Sequence, residues 1–243
     1  MARFFVSPAE MELDFLVLSG ENAAHAKVLR LKTGEQVTVC DGAGRENVCT
    51  VSDVSAGQIS LVVTQRLESS SEARVDATVY MAFPKGDKLE HVIQKATELG
   101  AYEIVTFPTA RCISKPDEKS IAKKLDRWQK IAASAAEQSG RGRVPQITVL
   151  GSYKEALSHA AEADLAILFY ENERGYTLRN ALSEVPYKSV SLMTGPEGGL
   201  EPKEVEMAAE AGLRICTLGR RILRCETAPL CALSAVMYDS GEF

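Results

Sequence analysis

The stretch Lys188–Gly212, "KSVSLMTGPEGGLEPKEVEMAAEAG", holds the pattern that organises most of this chain. The run "SVSLM" is apolar and β-branched and reads as a buried strand. It stops at Gly195-Pro196, a carboxylate follows at Glu197, then Gly198 and Gly199, and then "PKEVEMAAEAG", which reads as a helix with Pro near its start and Gly at its end. Strand, glycine-rich loop and helix in that order form half of a crossover unit of a parallel sheet.

The same alternation extends outward on both sides. From about residue 75, "VDATVYMAF", "YEIVTFP", "QITVLG", "ADLAILFY" and "LRICTLG" read as strands. Between and after them "KLEHVIQKATELG", a long basic helix "EKSIAKKLDRWQKIAASAAEQ", "YKEALSHAAE", "TLRNALSE" and "TAPLCALSAVMYDS" read as helices. This predicts a mostly parallel sheet in an α/β domain, with ligands at the carboxyl ends of its strands. The first 70 or so residues differ. "RFFV", "DFLVLS", "EQVTVCD", "ENVCTVSDV" and "QISLVVTQRL" are short β runs, "DGAGRE" and "SAGQ" read as hairpin turns, and "ENAAHAKVLR" is one short helix. A small closed or half-closed barrel fits them. The polar segment "LESSSEARVD" (67–76) is the expected boundary, giving domains 1–72 and 73–243.

Composition excludes several classes. No apolar run approaches the ~20 residues of a spanning helix, and the N-terminus does not read as a signal peptide, so a cytoplasmic location is expected. The six cysteines are scattered without a C-x-x-C pair and the three histidines form no ligand pattern, so no disulfide framework and no metal are expected. Net charge is −5, but it is unevenly spread. Residues 1–72 carry 6 Lys+Arg against 10 Asp+Glu, net −4, while residues 111–143 carry 9 against 4, net +5. "RICTLGRRILR" adds four arginines and no acid. Clustered cations of this kind suit a polyanion.

The loops limit what can bind. The first strand–helix turn, "FPKGDKLEH", lacks the G-x-G-x-x-G of a dinucleotide site, and no P-loop is present. Pro196 offers no N–H and Glu197 would repel a phosphate. Gly198 and Gly199 allow close backbone approach, which suits a flat, neutral group such as a purine. In "LGRRILRCETAPL", Ile222 and Leu223 sit among arginines, as in a loop packing one face inward and showing cations outward. Thr227 is the candidate N-cap of the final helix.

Four segments, "KGDKLEHVIQKATELG", "AAEQSGR", "TGPEGGL" and "LGRRILRCETAPL", together resemble the SPOUT-class ribosomal RNA small-subunit methyltransferase E family over the whole chain. Cys225 stands where the family pattern is loose. The resemblance implies a C-terminal SPOUT-type methyltransferase domain with a deep trefoil knot, an N-terminal PUA-like RNA-binding β-barrel, and a homodimer. It also implies methylation of uridine N3 in 16S ribosomal RNA, naked or in the assembled small subunit, with S-adenosylmethionine as cofactor. The cofactor loops begin near Phe169, Thr194 and Leu218, so Phe169, Thr194, Gly195, Pro196, Glu197, Gly198, Gly199, Leu218, Gly219, Ile222 and Leu223 are expected around it. Arg224 is the expected group for charge on the uracil oxygens. Glu226 and Glu197 are the candidate bases, with helix capping and pairing to Arg224 as the other reading of Glu226. Arg220 and Arg221 are expected on phosphate, as are Lys123, Lys124 and Arg127 of the basic helix. Arg141 and Arg143 are expected as RNA contacts, unless Glu137 and Arg141 pair at an interface. A related enzyme acting on another RNA or atom, a dinucleotide enzyme, and a non-catalytic RNA-binding assembly factor are the alternatives.

Overall fold

A computed structural model describes residues 1–55, 57–114 and 117–243. The chain forms two compact units, Met1–Glu72 with Ala133–Val144, and Ala73–Ala132 with Pro145–Phe243.

The first unit is built on strands β1 (Ala2–Phe5), β2 (Phe15–Leu18), β3 (Gln36–Cys40), β4 (Arg45–Ser55) and β5 (Gln58–Glu68), with helix α1 (Gly20–Val28). A short 3-10 turn at Glu10–Glu12 breaks the segment before β2. The strand order is β1-β3-β4-β5-β2, with β1 parallel to β3 and the other pairs antiparallel. The expected barrel is therefore not closed by hydrogen bonds: among the described residues β1 and β2 are the two edges. Each edge strand has only four residues and spends its pairing groups on a single neighbour. Alternation sends Phe4, Leu16, Leu18, Val37, Val39, Cys49, Val51, Ile59 and Leu61 into one core. The turn expected at 55–58 includes Ala56, which lies outside the described residues.

The second unit carries β6 (Asp76–Ala82), α2 (Lys88–Glu98), β7 (Glu103–Phe107), α3 (Glu118–Ser139) and β8 (Gln146–Val149). It continues through α4 (Tyr153–Ala160), β9 (Leu165–Phe169), α5 (Leu178–Glu184), β10 (Ser189–Thr194), α6 (Pro202–Glu210), β11 (Arg214–Cys216) and α7 (Ala228–Asp239). The sheet order is β11-β9-β10-β6-β7-β8 and every pairing is parallel. Such a sheet must be covered on both faces, and its strands are accordingly apolar throughout: every residue of β9 is buried. Val92, Ile93 and Ala96 of α2 are fully buried with Leu89 on one stripe, and burying each large side chain contributes about 1.5–3 kcal/mol. Ser152 caps α4 by accepting from the Glu155 N–H at 3.2 Å. Thr177 and Asn180 form a capping box on α5. Pro202 opens α6, where the buried Glu204 carboxylate accepts from the N–H groups of Glu201 and Ala110, both within 2.9 Å. That carboxylate joins the loop after β7 to the loop after β10.

The units correct two expectations. Residues 133–144, placed by sequence in the second domain, belong to the first unit, so α3 changes unit part-way along its length. Arg141, expected on RNA, is only 4% exposed. Its guanidinium donates to Glu72 Oε2 at 2.7 Å, and the N–H groups of Gly142 and Arg143 donate to Glu72 Oε1 at 2.9 and 3.0 Å. One carboxylate thus holds three consecutive residues, and a buried guanidinium needs such a partner. Glu137 faces His25 Nδ1 at 3.5 Å.

Candidate functional site

Strands β11, β9 and β10 are adjacent and parallel, so the three loops leaving their carboxyl ends emerge side by side. These are the loops beginning at Phe169, Thr194 and Thr217. They enclose a cavity of about 450 Å³ within the second unit, inside the usual range for small-ligand sites. Every expected cofactor residue, from Phe169 through Thr194–Gly199 to Leu218, Gly219, Ile222 and Leu223, lines it, together with Arg220, Arg221 and Arg224. The loop after β9 is drawn along β11 by the Tyr170 N–H to the Cys216 carbonyl at 3.0 Å and the Thr217 N–H to the Tyr176 carbonyl at 2.8 Å.

The glycines serve protein packing. A Cβ on Gly195 would lie 3.0 Å from Leu200 Cγ, and one on Gly198 would lie 3.1 Å from Arg111 Cβ. Gly199 has a φ of +66°, and a Cβ there would collide with the Glu171 carboxylate. The loops after β7, β9 and β10 therefore interlock at this turn, and Arg111 donates to the Gly198 carbonyl at 3.1 Å.

Glu197 also has a structural partner set. The Lys85 N–H donates to Glu197 Oε1 at 2.9 Å and the Lys88 ammonium to the same oxygen at 3.0 Å. Burial pushes this carboxyl up, but these two donors outweigh it and leave its pKa below the ordinary value. Lys88 is also 3.5 Å from Glu226 Oε2 and 3.8 Å from Cys225 Sγ. Glu226 is lowered chiefly by its own backbone N–H and by the Cys225 thiol, which donates to Glu226 Oε2 at 3.2 Å. Burial, then Glu226, pushes the Cys225 thiol up to about 12. Among the described residues Glu226 is paired with Lys88 and not with Arg224. Thr227 is the N-cap residue of α7 but its side chain makes no capping hydrogen bond.

Lys88 is the residue that sequence reasoning missed. It lies in "FPKGDKLEH", the first strand-to-helix turn, and a lysine one turn beyond a parallel strand end was the available signal. Its relation to Glu197 spans 109 positions and has no local trace. Arg111, which reaches the Gly198 carbonyl across 87 positions, was missed for the same reason.

The cations divide. Arg127 is exposed but paired with Glu90 at 2.6 Å, Lys123 is exposed and Lys124 half-buried. Arg220, Arg221 and Arg224 are exposed on the cavity rim and have no carboxylate partner among the described residues. Among the described residues, no group of three or more His, Cys, Asp or Glu is arranged to hold a metal ion, and no helix is long and apolar enough to cross a membrane.

Strand-end loops folded over one cavity of an all-parallel sheet are where open α/β domains bind their ligands. Residues 71–237 match the family model for the RNA methyltransferase domain, and residues 18–64 match that for the RNA methyltransferase PUA domain. The chain is 36% identical over 249 residues to ribosomal RNA small subunit methyltransferase E of Bacillus subtilis, covering 99% of this chain and 97% of that one. It is 34% identical over 224 residues to the protein of the same name from Mycobacterium tuberculosis, covering 90% and 85%. The crystal structure of ribosomal RNA small subunit methyltransferase E from Neisseria gonorrhoeae bound to S-adenosyl methionine superposes with a TM-score of 0.87 at 31% identity, over 98% of this chain and 97% of that one. The chain belongs to the ribosomal RNA small subunit methyltransferase E family.

Proposed function

We propose that this protein methylates N3 of a uridine in 16S ribosomal RNA, using S-adenosylmethionine, and that it acts as a cytoplasmic homodimer on the RNA or the assembled small subunit. The observation that carries the reading is the convergence of three neighbouring strand-end loops on one cavity whose rim holds three arginines with no carboxylate partner among the described residues. The residues present suit the cofactor. Phe169, Leu218 and Leu223 offer apolar walls, and Thr194 and the backbone of Gly195–Gly199 offer uncharged polar groups beside them. When bound, S-adenosylmethionine supplies a methyl group that is already electrophilic.

The chain's own residues must then orient the uracil, accept its N3 proton and offset charge on its oxygens. Arg224 is the proposed group for that charge, because it is exposed at the cavity mouth with no carboxylate partner among the described residues. Glu226 and Glu197 are the proposed proton acceptors: Glu197 lines the cavity with Oε1 held by two donors, and Glu226, next to the lining residue Cys225, is held through Oε2 by the Cys225 thiol and Lys88. Arg220 and Arg221 are proposed to hold phosphate, with Lys123, Lys124, Arg127 and Arg143 as outlying contacts. The first unit is proposed as the PUA-like RNA-binding domain. The proposal includes a knotted C-terminal path, supported by α7 packing on β10, β6 and α2 after β10 has entered between β9 and β6.

The test combines purified protein, S-adenosylmethionine and small ribosomal subunits from cells lacking the activity, followed by RNA digestion and mass spectrometry. One 3-methyluridine per subunit is expected. Methylation of a different atom would move the assignment within the family, and absence of any mark would remove it.

A further inference from the structure

Ile222 is 79% exposed. A single exposed aliphatic side chain is ordinary on a protein surface, but three features of this one point to a ligand. It lies on the mouth of the proposed reaction cavity. It is flanked by Arg220, Arg221 and Arg224, all exposed and without carboxylate partners among the described residues. The loop that carries it is anchored at both ends. At the first end, Gly219 turns at a φ of +110°, its N–H donates to Thr217 Oγ1 at 3.2 Å and its carbonyl accepts from the same hydroxyl at 3.1 Å. At the other, the Arg224 carbonyl accepts from the N–H groups of Thr227 and Ala228 at 2.9 Å, and Cys225 is buried beside it. Leu223 turns inward and is half-buried, whereas Ile222 does not. A β-branched side chain on such a loop has few rotamers to lose on binding.

We infer that Ile222 is a wedge that enters the RNA base stack beside the target uridine, while Arg220 and Arg221 hold the neighbouring phosphates. A base whose N3 edge is paired or stacked must leave the stack before it can react. Apolar wedges that unstack a step work next to cations that grip the backbone. This gives Ile222, which lines the cavity with the other expected cofactor residues, a positioning role towards the RNA. The inference rests on the RNA reading proposed above.

The test uses two synthetic RNAs that span the methylated uridine once mass spectrometry has located it: a hairpin in which it is paired, and an unpaired oligonucleotide. For Ile222→Ala, the loss of kcat/KM is expected to be about ten-fold greater on the hairpin than on the unpaired RNA, and Ile222→Leu should restore most of it. Without any cofactor, the fluorescence of a 2-aminopurine placed next to the uridine should rise on adding the wild-type protein and not on adding Ile222→Ala. Equal losses on both RNAs, weaker binding of S-adenosylhomocysteine to Ile222→Ala, or a changed oligomeric state by light scattering would each overturn the wedge, the last by showing that a second copy covers Ile222. If the wild type methylates neither RNA nor intact subunits, the methyltransferase reading fails first and the wedge falls with it.

Discussion

The Lys88 ammonium sits 3.0 Å from Glu197 Oε1 and joins two walls of the cavity, because the same nitrogen lies 3.5 Å from Glu226 Oε2. Glu197 belongs to the loop after β10 and Glu226 to the loop after β11. Replacing Lys88 by Met leaves two carboxylates without their shared cation. We expect S-adenosylhomocysteine affinity to fall roughly five-fold, the scale of a part-exposed ion pair, with Lys88→Arg recovering part of it in calorimetric titration. The double substitution Lys88→Met, Glu197→Gln should cost less than the sum of the two single ones. Additive losses would show that the two residues act independently.

The same cluster sets a pH dependence. Glu197 and Glu226 both titrate below their ordinary value of 4.5 in the folded protein. A lowered folded pKa means stability that is present above 4.5 and lost as pH falls through the folded value. Thermal stability should therefore be flat from about pH 6 to 8 with respect to these groups and decline on acidification below the carboxylate range. In Lys88→Met the folded values rise towards 4.5, so the share of this decline that comes from Glu197 and Glu226 should shrink. A melting series across pH that shows no difference between the two proteins would refute the assignment.

Arg220, Arg221 and Arg224 should differ in kind. Removing Arg220 or Arg221 should weaken RNA binding on all sequences and reduce the slope of log K against log salt by about 0.7–0.9 per arginine. Arg224→Ala should lower single-turnover methylation of bound RNA by about 100-fold. Unchanged turnover on saturating RNA would leave Arg224 as one more phosphate contact.

Arg141 carries the opposite expectation. Its side chain is 5% exposed and paired with Glu72 at 2.7 Å. Arg141→Ala should destabilise the protein by about 3 kcal/mol through the unpaired Glu72 it leaves. The melting temperature should fall, while the salt slope of RNA binding should stay as in the wild type. A reduced slope at unchanged stability would return Arg141 to the RNA surface.

The thiols give an inexpensive check of the fold. Cys231 is exposed, whereas Cys40, Cys49, Cys112, Cys216 and Cys225 are buried. Cys225 is held as the thiol by burial and by Glu226, at about 12, and a thiol is a poor nucleophile. Iodoacetamide near neutral pH should add one label, on Cys231, as read by peptide mass. Early labelling of Cys225 would mean that the loop after β11 opens in solution.

Much of this was legible locally. Strands and helices of the second unit follow from apolar runs broken by glycine and proline, since a buried parallel strand must be apolar on both faces and a helix must stop where φ turns positive. "ADLAILFY" and "LEHVIQKATELG" are two such cases. The cavity loops after β10 and β11 stood out because glycine, proline and arginine in a strand-to-helix turn demand a reason. The four motifs and their order along the chain were sufficient to point to the family.

What only the tertiary structure decided are the relations between distant residues. Periodicity describes each strand against its own face and is silent about neighbours, so the order β11-β9-β10 that makes three separate loops into one cavity could not be read from it. Lys88 meets Glu197 across 109 positions, and Arg141 meets Glu72 across 69. The two arginine groups looked alike as sequence, "GRGR" and "GRRILR". One guanidinium became a buried strut and three others remained open on the cavity rim, because charge is neutralised by whatever carboxylate the fold brings within reach, and that depends on the path of the whole chain.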